Sequence, residues 1–228
     1  MITAASNSRI KRLVQLNQKS KLRRTEDVFL AEGVKMFLEA PREQLQEVYV
    51  SESFLEKCSC REHLEEVGYE VVSDSVFSKI SDTCTPQGVL CVLKQFHYNI
   101  EEMLRDKAPL FLLLENIQDP GNLGTMLRTG EGAGVSGIIM SRDTVDLYNP
   151  KVIRSTMGSI YRVPFYYADD FAAAVHQVQQ AGVSVYAAHL RGKNSYACQD
   201  YTKGTAFLIG NEGNGLREET AELADCYI

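Results

Sequence analysis

The chain has 228 residues, 44% hydrophobic and 24% charged, with a formal charge of −6. This is the composition of a globular protein of one large or two small domains. It excludes a protein that coats nucleic acid by bulk positive charge, and no apolar run approaches the ~20 residues of a membrane span. The six cysteines include no C-x-x-C, and Cys58 with Cys60 offers two ligands, too few for a zinc site, so no metal is expected. The start, "MITAASNSRIKRL", has no apolar signal core, so reduced thiols and a cytoplasmic location are expected.

From the N-terminus, Ser8 to Leu16 reads as a helix with Ile10, Leu13, Val14 and Leu16 as its apolar set. Between Ser6 and Arg24 lie seven basic residues and no acid. Arg9, Lys11, Arg12, Lys21, Arg23 and Arg24 in this stripe are candidate phosphate contacts, and a solvated helix face is the competing reading. "VFLAEGVKMFLEA" predicts a strand and a helix, "EVYVSES" a strand, "LEKCSCREHLEEVGYEVVSDSVFSKIS" helix, strand and helix, and "GVLCVLKQF" a strand. The polar segment "HYNIEEMLRDKAP" reads as a connection between domains.

The second part alternates again. "LFLLLEN" is a strand, "NLGTMLRTGEGAG" a helix and "SGIIMS" a strand. "NPKVIRSTMGSIY" is a helix with Asn149 as cap and Pro150 at its first position. "VPFYY" is a strand, "DDFAAAVHQVQQAG" a helix capped by Asp169 or Asp170, "VSVYAAHL" and "GTAFLIG" strands, and "LREETAELADC" a helix. Alternation of this kind predicts a mostly parallel sheet with helices on both faces, and ligands bound beyond the carboxyl ends of its strands.

A literal G-x-G-x-x-G occurs at Gly132, Gly134 and Gly137. A dinucleotide fingerprint must follow a strand and open a helix. Here the glycines follow a helix and precede a strand, which is the ordinary use of glycine at a helix C-terminus.

Three loops rich in Gly, Asn and charge are expected at the strand ends: "ENIQDPGNLGTMLR", "STMGSIYRVPF" and "LIGNEGNGLREE". Each is also an ordinary turn. Arg128 could pair a phosphate with its fork of donors or stand as an exposed helix arginine. The third loop lacks the Gly-Lys-Ser/Thr ending of a P-loop, which argues against ATP.

In order and spacing, "DPGNLGTMLRTGEGAGVSGI", "NPKVIRSTMGSIYRVPF" and "LIGNEGNGLREE" resemble the three signature motifs of the SpoU/TrmH family. This family belongs to the SPOUT superfamily of RNA 2′-O-ribose methyltransferases. The N-terminal part, "ITAASNSRIKRL" through "FLAEGVKMFLEA", is similar to that family's L30e-like substrate-binding extension.

The resemblance implies an α/β chain: a small L30e-like domain over residues 1–97, a linker at 98–108, and a SPOUT α/β-knot domain from 109 to 228. The family's final strand, loop and helix would follow "ADCYI", so the last domain is expected to be C-terminally incomplete, with a frayed end and either a monomer or an exposed apolar patch, the resemblance implying a homodimer for the full-length protein. The resemblance also implies S-adenosylmethionine as cofactor and RNA as partner, ribosomal RNA ahead of transfer RNA. Asn122, Arg128 and Glu212 match its catalytic positions, with Arg128 acting on the ribose hydroxyl. Ile209, Gly210, Asn211 and Gly213 match cofactor-contacting positions. Ala187, Ala188 and Leu190, in the "AAHL" strand end, would line the adenine pocket. The rival expectation is a non-catalytic RNA-binding or ribosome-associated protein on the same fold.

Overall fold

The computed structural model describes residues 1–193 and 195–228. Its helices are α1 (Ser8–Gln18), α2 (Ser20–Glu26), α3 (Val34–Leu38), α4 (Glu52–Lys57), α5 (Arg61–Val67), α6 (Asp74–Ile80), α7 (Ile100–Met103), α8 (Pro120–Ala133), α9 (Pro150–Thr156), α10 (Phe171–Gln180) and α11 (Glu218–Ala221). Its strands are β1 (Val28–Glu32), β2 (Leu45–Ser51), β3 (Glu70–Val72), β4 (Val89–Lys94), β5 (Leu110–Leu114), β6 (Gly137–Ser141), β7 (Phe165–Ala168), β8 (Ser184–Ala187), β9 (Thr205–Ile209) and β10 (Cys226–Tyr227). Two compact units form: residues 1–96 with 146–161, and residues 97–145 with 162–228.

The first unit holds a four-stranded sheet in the order β1-β4-β2-β3. β4 runs antiparallel to both its neighbours, and β2 pairs parallel with β3. Asn7 starts α1 by accepting the Arg9 N–H at 2.9 Å. The helix then buries Ile10, Leu13 and Leu16 against Phe77 and Ile80 of α6 and Leu30 and Val92 of the sheet. The 10–13–16 spacing is the apolar stripe that a helix must hide.

Residues 146–161 complete this unit, so it is not continuous in sequence. Asn149 caps α9 through the Lys151 N–H, with Pro150 at the first turn as predicted. The Tyr148 ring lies 4.9 Å from that of Phe29, and its hydroxyl accepts the Phe96 N–H at 2.7 Å. Tyr161 donates to the Met36 carbonyl at 3.0 Å. Asp146 receives the buried Arg23 at 2.5 Å.

The second unit is a six-stranded sheet, every pairing parallel, in the order β10-β8-β9-β5-β6-β7. "LFLLL" and "GIIMS" read as unbroken apolar runs because central parallel strands are covered on both faces. One face packs Phe111, Leu113, Val185, Ala206 and Leu208 against α10 and α7. The connecting segment expected to be polar therefore carries a helix whose Ile100 and Met103 enter this core. Gly137 serves that packing: an added Cβ would lie 2.0 Å from the Met103 methyl. Gly134 ends α8 in the left-handed conformation (φ 73°), as glycine after a helix should.

The chain runs outward from β5 through β6 to β7, then crosses to build β8 and β9 on the other side of β5. The reversal falls between β5 and β9, and the crevice at the carboxyl ends of these two strands is where open parallel sheets bind ligands.

Candidate active site

The first loop leaves β5 at Glu115 and enters α8. Asp119 caps that helix, accepting the Asn122 N–H at 2.8 Å, with Pro120 in the first turn. Asn116 turns the loop with φ 54°, and asparagine tolerates this left-handed region better than most residues. Its N–H bonds Ser141 Oγ at the end of β6, and its carbonyl accepts Asn211 Nδ2 from the third loop, both at 2.8 Å.

The third loop, 210–216, closes on itself. Asn211 and Gly215 exchange two backbone hydrogen bonds, of 3.0 and 2.9 Å. Asn211 Oδ1 accepts the N–H groups of Gly213 and Asn214, each at 3.0 Å. Gly210 permits this fold: an added Cβ would lie 2.2 Å from the Gly215 carbonyl carbon and the Leu216 nitrogen. The side chain of Asn211 and the N–H of Gly213 thus build the loop itself.

Glu212 joins the two loops. One carboxylate oxygen accepts the Asp119 N–H at 2.9 Å and Asn122 Nδ2 at 3.2 Å; the other accepts the Gln118 N–H at 3.1 Å. Glu212 is exposed; the slight desolvation at the junction favours its neutral form, but the N–H groups of Asp119 and Gln118 outweigh that and hold the carboxyl below the usual glutamate range. A carboxylate so stabilised is a weak base, and its lone pairs are already engaged. Its chemistry suits positioning better than proton abstraction.

Asn122 and Glu212 are therefore brought together. Arg128 stands farther along α8, exposed, with no hydrogen bond or ion pair among the described residues. Ala188 and Ile209 border an open, almost wholly apolar hollow of about 280 Å³, walled by Leu110, Leu112, Phe207 and Gly130. Ala187 is fully buried in β8, whereas Leu190 is fully exposed and absent from the hollow's lining. The chain end is not loose: Cys226 and Tyr227 pair with Tyr186 and Ala187, and the Ile228 N–H bonds the Ala187 carbonyl at 2.9 Å.

The second loop corrects the expectation that all three share the carboxyl edge of one sheet. "STMGSIYRVPF" leads into the amino end of β7, and its first seven residues belong to the other unit. Three polar residues were not singled out from the sequence: Glu115, Asp143 and Arg217. Glu115 is 1% exposed and accepts the Arg217 N–H at 2.8 Å and the Thr220 hydroxyl at 2.6 Å. Arg217 also pairs with Asp143, whose carboxyl burial pushes up but Ser141 and Arg217 hold below the ordinary range. The acid that ends an apolar strand, in "LLLEN", was the available signal.

In the first unit the basic stripe divides. Arg9 pairs with Glu70 at 2.9 Å, and Arg12 with Glu26 and Glu47, both at 2.7 Å. Arg23 is 3% exposed, bonded to the Leu16 carbonyl at 2.7 Å and to Asp146. Arg23 therefore belongs to the packing of the unit and not to an outward face. Lys11, Lys19, Lys21 and Arg24 remain exposed, with no ion pair among the described residues.

A parallel α/β sheet with two interlocked glycine-rich loops at its switch point defines a protein built to hold a small cofactor beside a reacting group. The sequence profile of the SpoU rRNA Methylase family matches residues 109–228, and that of an MRM3-like substrate binding domain matches residues 7–91. The chain belongs to the SpoU rRNA methylase family. It is 31% identical over its whole length to the 23S rRNA (guanosine(2553)-2'-O)-methyltransferase RlmP of Bacillus subtilis, covering 88% of that protein. The structure of an AdoMet-bound rRNA methyltransferase from Sinorhizobium meliloti is 29% identical and superimposes with a TM-score of 0.82 over 99% of this chain and 86% of that one. The SpoU methyltransferase AviRb of Streptomyces viridochromogenes, 22% identical, shares the fold with a TM-score of 0.86 over 97% and 87% of the two chains. No helix among the described residues is long and apolar enough to cross a membrane.

Proposed function

We propose that the protein transfers a methyl group from S-adenosylmethionine to a ribose 2′-hydroxyl of RNA, with large-subunit ribosomal RNA as the substrate. The observation that carries this reading is the junction of the first and third loops through Glu212, with Arg128 left free on the same helix. The hollow suits the cofactor: its walls are apolar, as the flat faces of an adenine require, and its lining includes Ala188, just past β8, and Ile209, the last residue of β9. Ala188 and Ile209 would hold that group, and when bound it supplies a methyl carbon made electrophilic by a sulfonium. The ribose oxygen would gain the methyl as the C–S bond breaks, the sulfur would leave as the neutral thioether of S-adenosylhomocysteine, and the hydroxyl proton would pass to water.

The chain's own residues supply orientation and charge. Arg128 presents a planar guanidinium with a fork of donors and no acceptor. Its fork binds a phosphate beside the target ribose and stabilises negative charge as it develops on the oxygen. Glu212 and Asn122 fix the start of α8, and so the place from which Arg128 acts. Positioning of this kind supplies much of the rate in a single in-line displacement. The exposed cations Lys11, Lys19, Lys21 and Arg24 guide RNA to the first unit. The working form is a cytoplasmic homodimer, to be tested by light scattering.

The test is transfer of labelled methyl from S-adenosylmethionine to unmethylated 23S rRNA, followed by alkaline hydrolysis, which leaves a 2′-O-methylated dinucleotide intact. Arg128→Ala is expected to abolish transfer while S-adenosylhomocysteine still binds. Arg128→Lys should not restore it, because a point charge lacks the planar fork. Substantial activity in the lysine variant would refute the role given to Arg128. RNA binding without any methyl transfer would favour a non-catalytic ribosome-associated protein.

A further inference from the structure

Glu115 touches neither the hollow nor Arg128, yet it holds both ends of the loop that carries Glu212. Its N–H donates to the Ile209 carbonyl at 2.9 Å, where the chain leaves β9. Its carboxylate accepts the Arg217 N–H at 2.8 Å, where the chain enters α11. The same carboxylate takes the Thr220 hydroxyl at 2.6 Å and the Arg217 guanidinium at 3.4 Å. No side chain of α11's own sequence caps that helix. Asn116, the next residue, receives Asn211 from inside the loop. Arg217 extends the tie to Asp143 beyond β6, and the Asp143 carbonyl accepts Gln118 Nε2 at 2.6 Å.

We propose that Glu115 is a positioning residue: it sets the span of the 210–216 loop so that Glu212 meets the N–H groups of Gln118 and Asp119 and the side chain of Asn122. The argument is geometric. A buried carboxylate is costly unless its lone pairs are filled, and here the donors come from one short stretch, Arg217 to Thr220. An apolar residue in its place would strand the Arg217 N–H and the buried Thr220 hydroxyl, so the acid is tied to this one stretch of chain. A carboxylate in this place holds the loop in one register, and through Glu212 it holds the start of α8. The functional part of this inference rests on the site proposed above.

Glu115→Gln keeps the size and one acceptor oxygen but loses the second. It is expected to lower kcat on 23S rRNA by on the order of tenfold, with KM for RNA and S-adenosylhomocysteine affinity within about twofold of the parent. Amide hydrogen exchange at Gln118 and Asp119 should quicken, while Leu113 and Ile139 in the sheet keep their protection. Should the glutamine variant fail to fold, Thr220→Val removes one donor at the same carboxylate and carries the same readouts. Parental kcat together with parental protection at Gln118 and Asp119 overturns the proposal. So does a loss of protection spread evenly over the sheet, which marks a purely structural role. Glu212→Gln separates the two claims: full activity in that variant refutes the site reading, while protection at Gln118 and Asp119 in the Glu115 variants still decides the positioning.

Discussion

The division of the basic stripe gives a test with a number attached. Neutralising a phosphate contact lowers the slope of log K against log salt by about 0.9 on a duplex and about 0.7 on a single strand. Lys11, Lys19, Lys21 and Arg24 carry free charge, so replacing all four with alanine should flatten the slope by roughly 3 if each meets a phosphate. Arg9 is already matched by Glu70. Deleting the pair, as Arg9→Ala with Glu70→Ala, leaves the local charge unchanged and should leave the slope unchanged. Arg23 is a third case. Its removal strips the Leu16 carbonyl and Asp146 of their buried partner, and breaking such a pair costs about 3 kcal/mol or more. Arg23→Ala should therefore lower the urea midpoint and not the salt slope of whatever remains folded. The assay is fluorescence anisotropy on a 23S rRNA fragment between 50 and 300 mM salt, beside a urea titration of each variant. A slope reduced as much by the Arg9/Glu70 deletion as by the four free cations would refute the assignment.

Two further outcomes follow from the loops. Gly210→Ala places a methyl against the Gly215–Leu216 peptide at 2.2 Å; the 210–216 loop should open and methyl transfer fail, while circular dichroism of the sheet is retained. The Glu212 carboxyl has a folded pKa below its unfolded value. Its contribution is therefore fully present above the ordinary value of about 4.3 and is lost as pH falls through the lower folded value; the Gln118 and Asp119 amides should lose protection in that acid range and not between pH 6 and 8.

Local chemistry was legible in the sequence. Asn149 before Pro150, Gly134 after α8 and the Asp169–Asp170 pair before α10 each mark a helix end by residue type, and the structure places caps at Asn149, Gly134 and, of the two acids, Asp170. The stray G-x-G-x-x-G resolved correctly because the order of strand and helix decides its meaning. What could not be read was anything settled by a distant partner. Arg12 and Arg23 look identical in a basic run, but the acids of Arg12 lie 14 and 35 residues away and that of Arg23 lies 123 away. α7 hid in a polar segment because only two of its side chains, Ile100 and Met103, face inward. Glu115 was overlooked because the donors that make a buried acid tolerable lie some hundred residues downstream. Asn122 and Glu212, matched through the family resemblance because each sits in a short stretch of distinctive composition, prove to be hydrogen-bonded at 3.2 Å.

The first unit takes its last helix from residues 146–161, after β5 and β6 have been made. During translation the first 96 residues therefore leave the ribosome without Tyr148 to cover Phe29 and without Asp146 to neutralise Arg23. They must wait, with an apolar patch and an unmatched buried cation, for a piece of chain that arrives only after the start of the other unit has been synthesised. A gene fragment cut at Phe96 would inherit that unfinished state permanently. The nascent protein passes through it briefly, and in that interval the two units depend on each other in time.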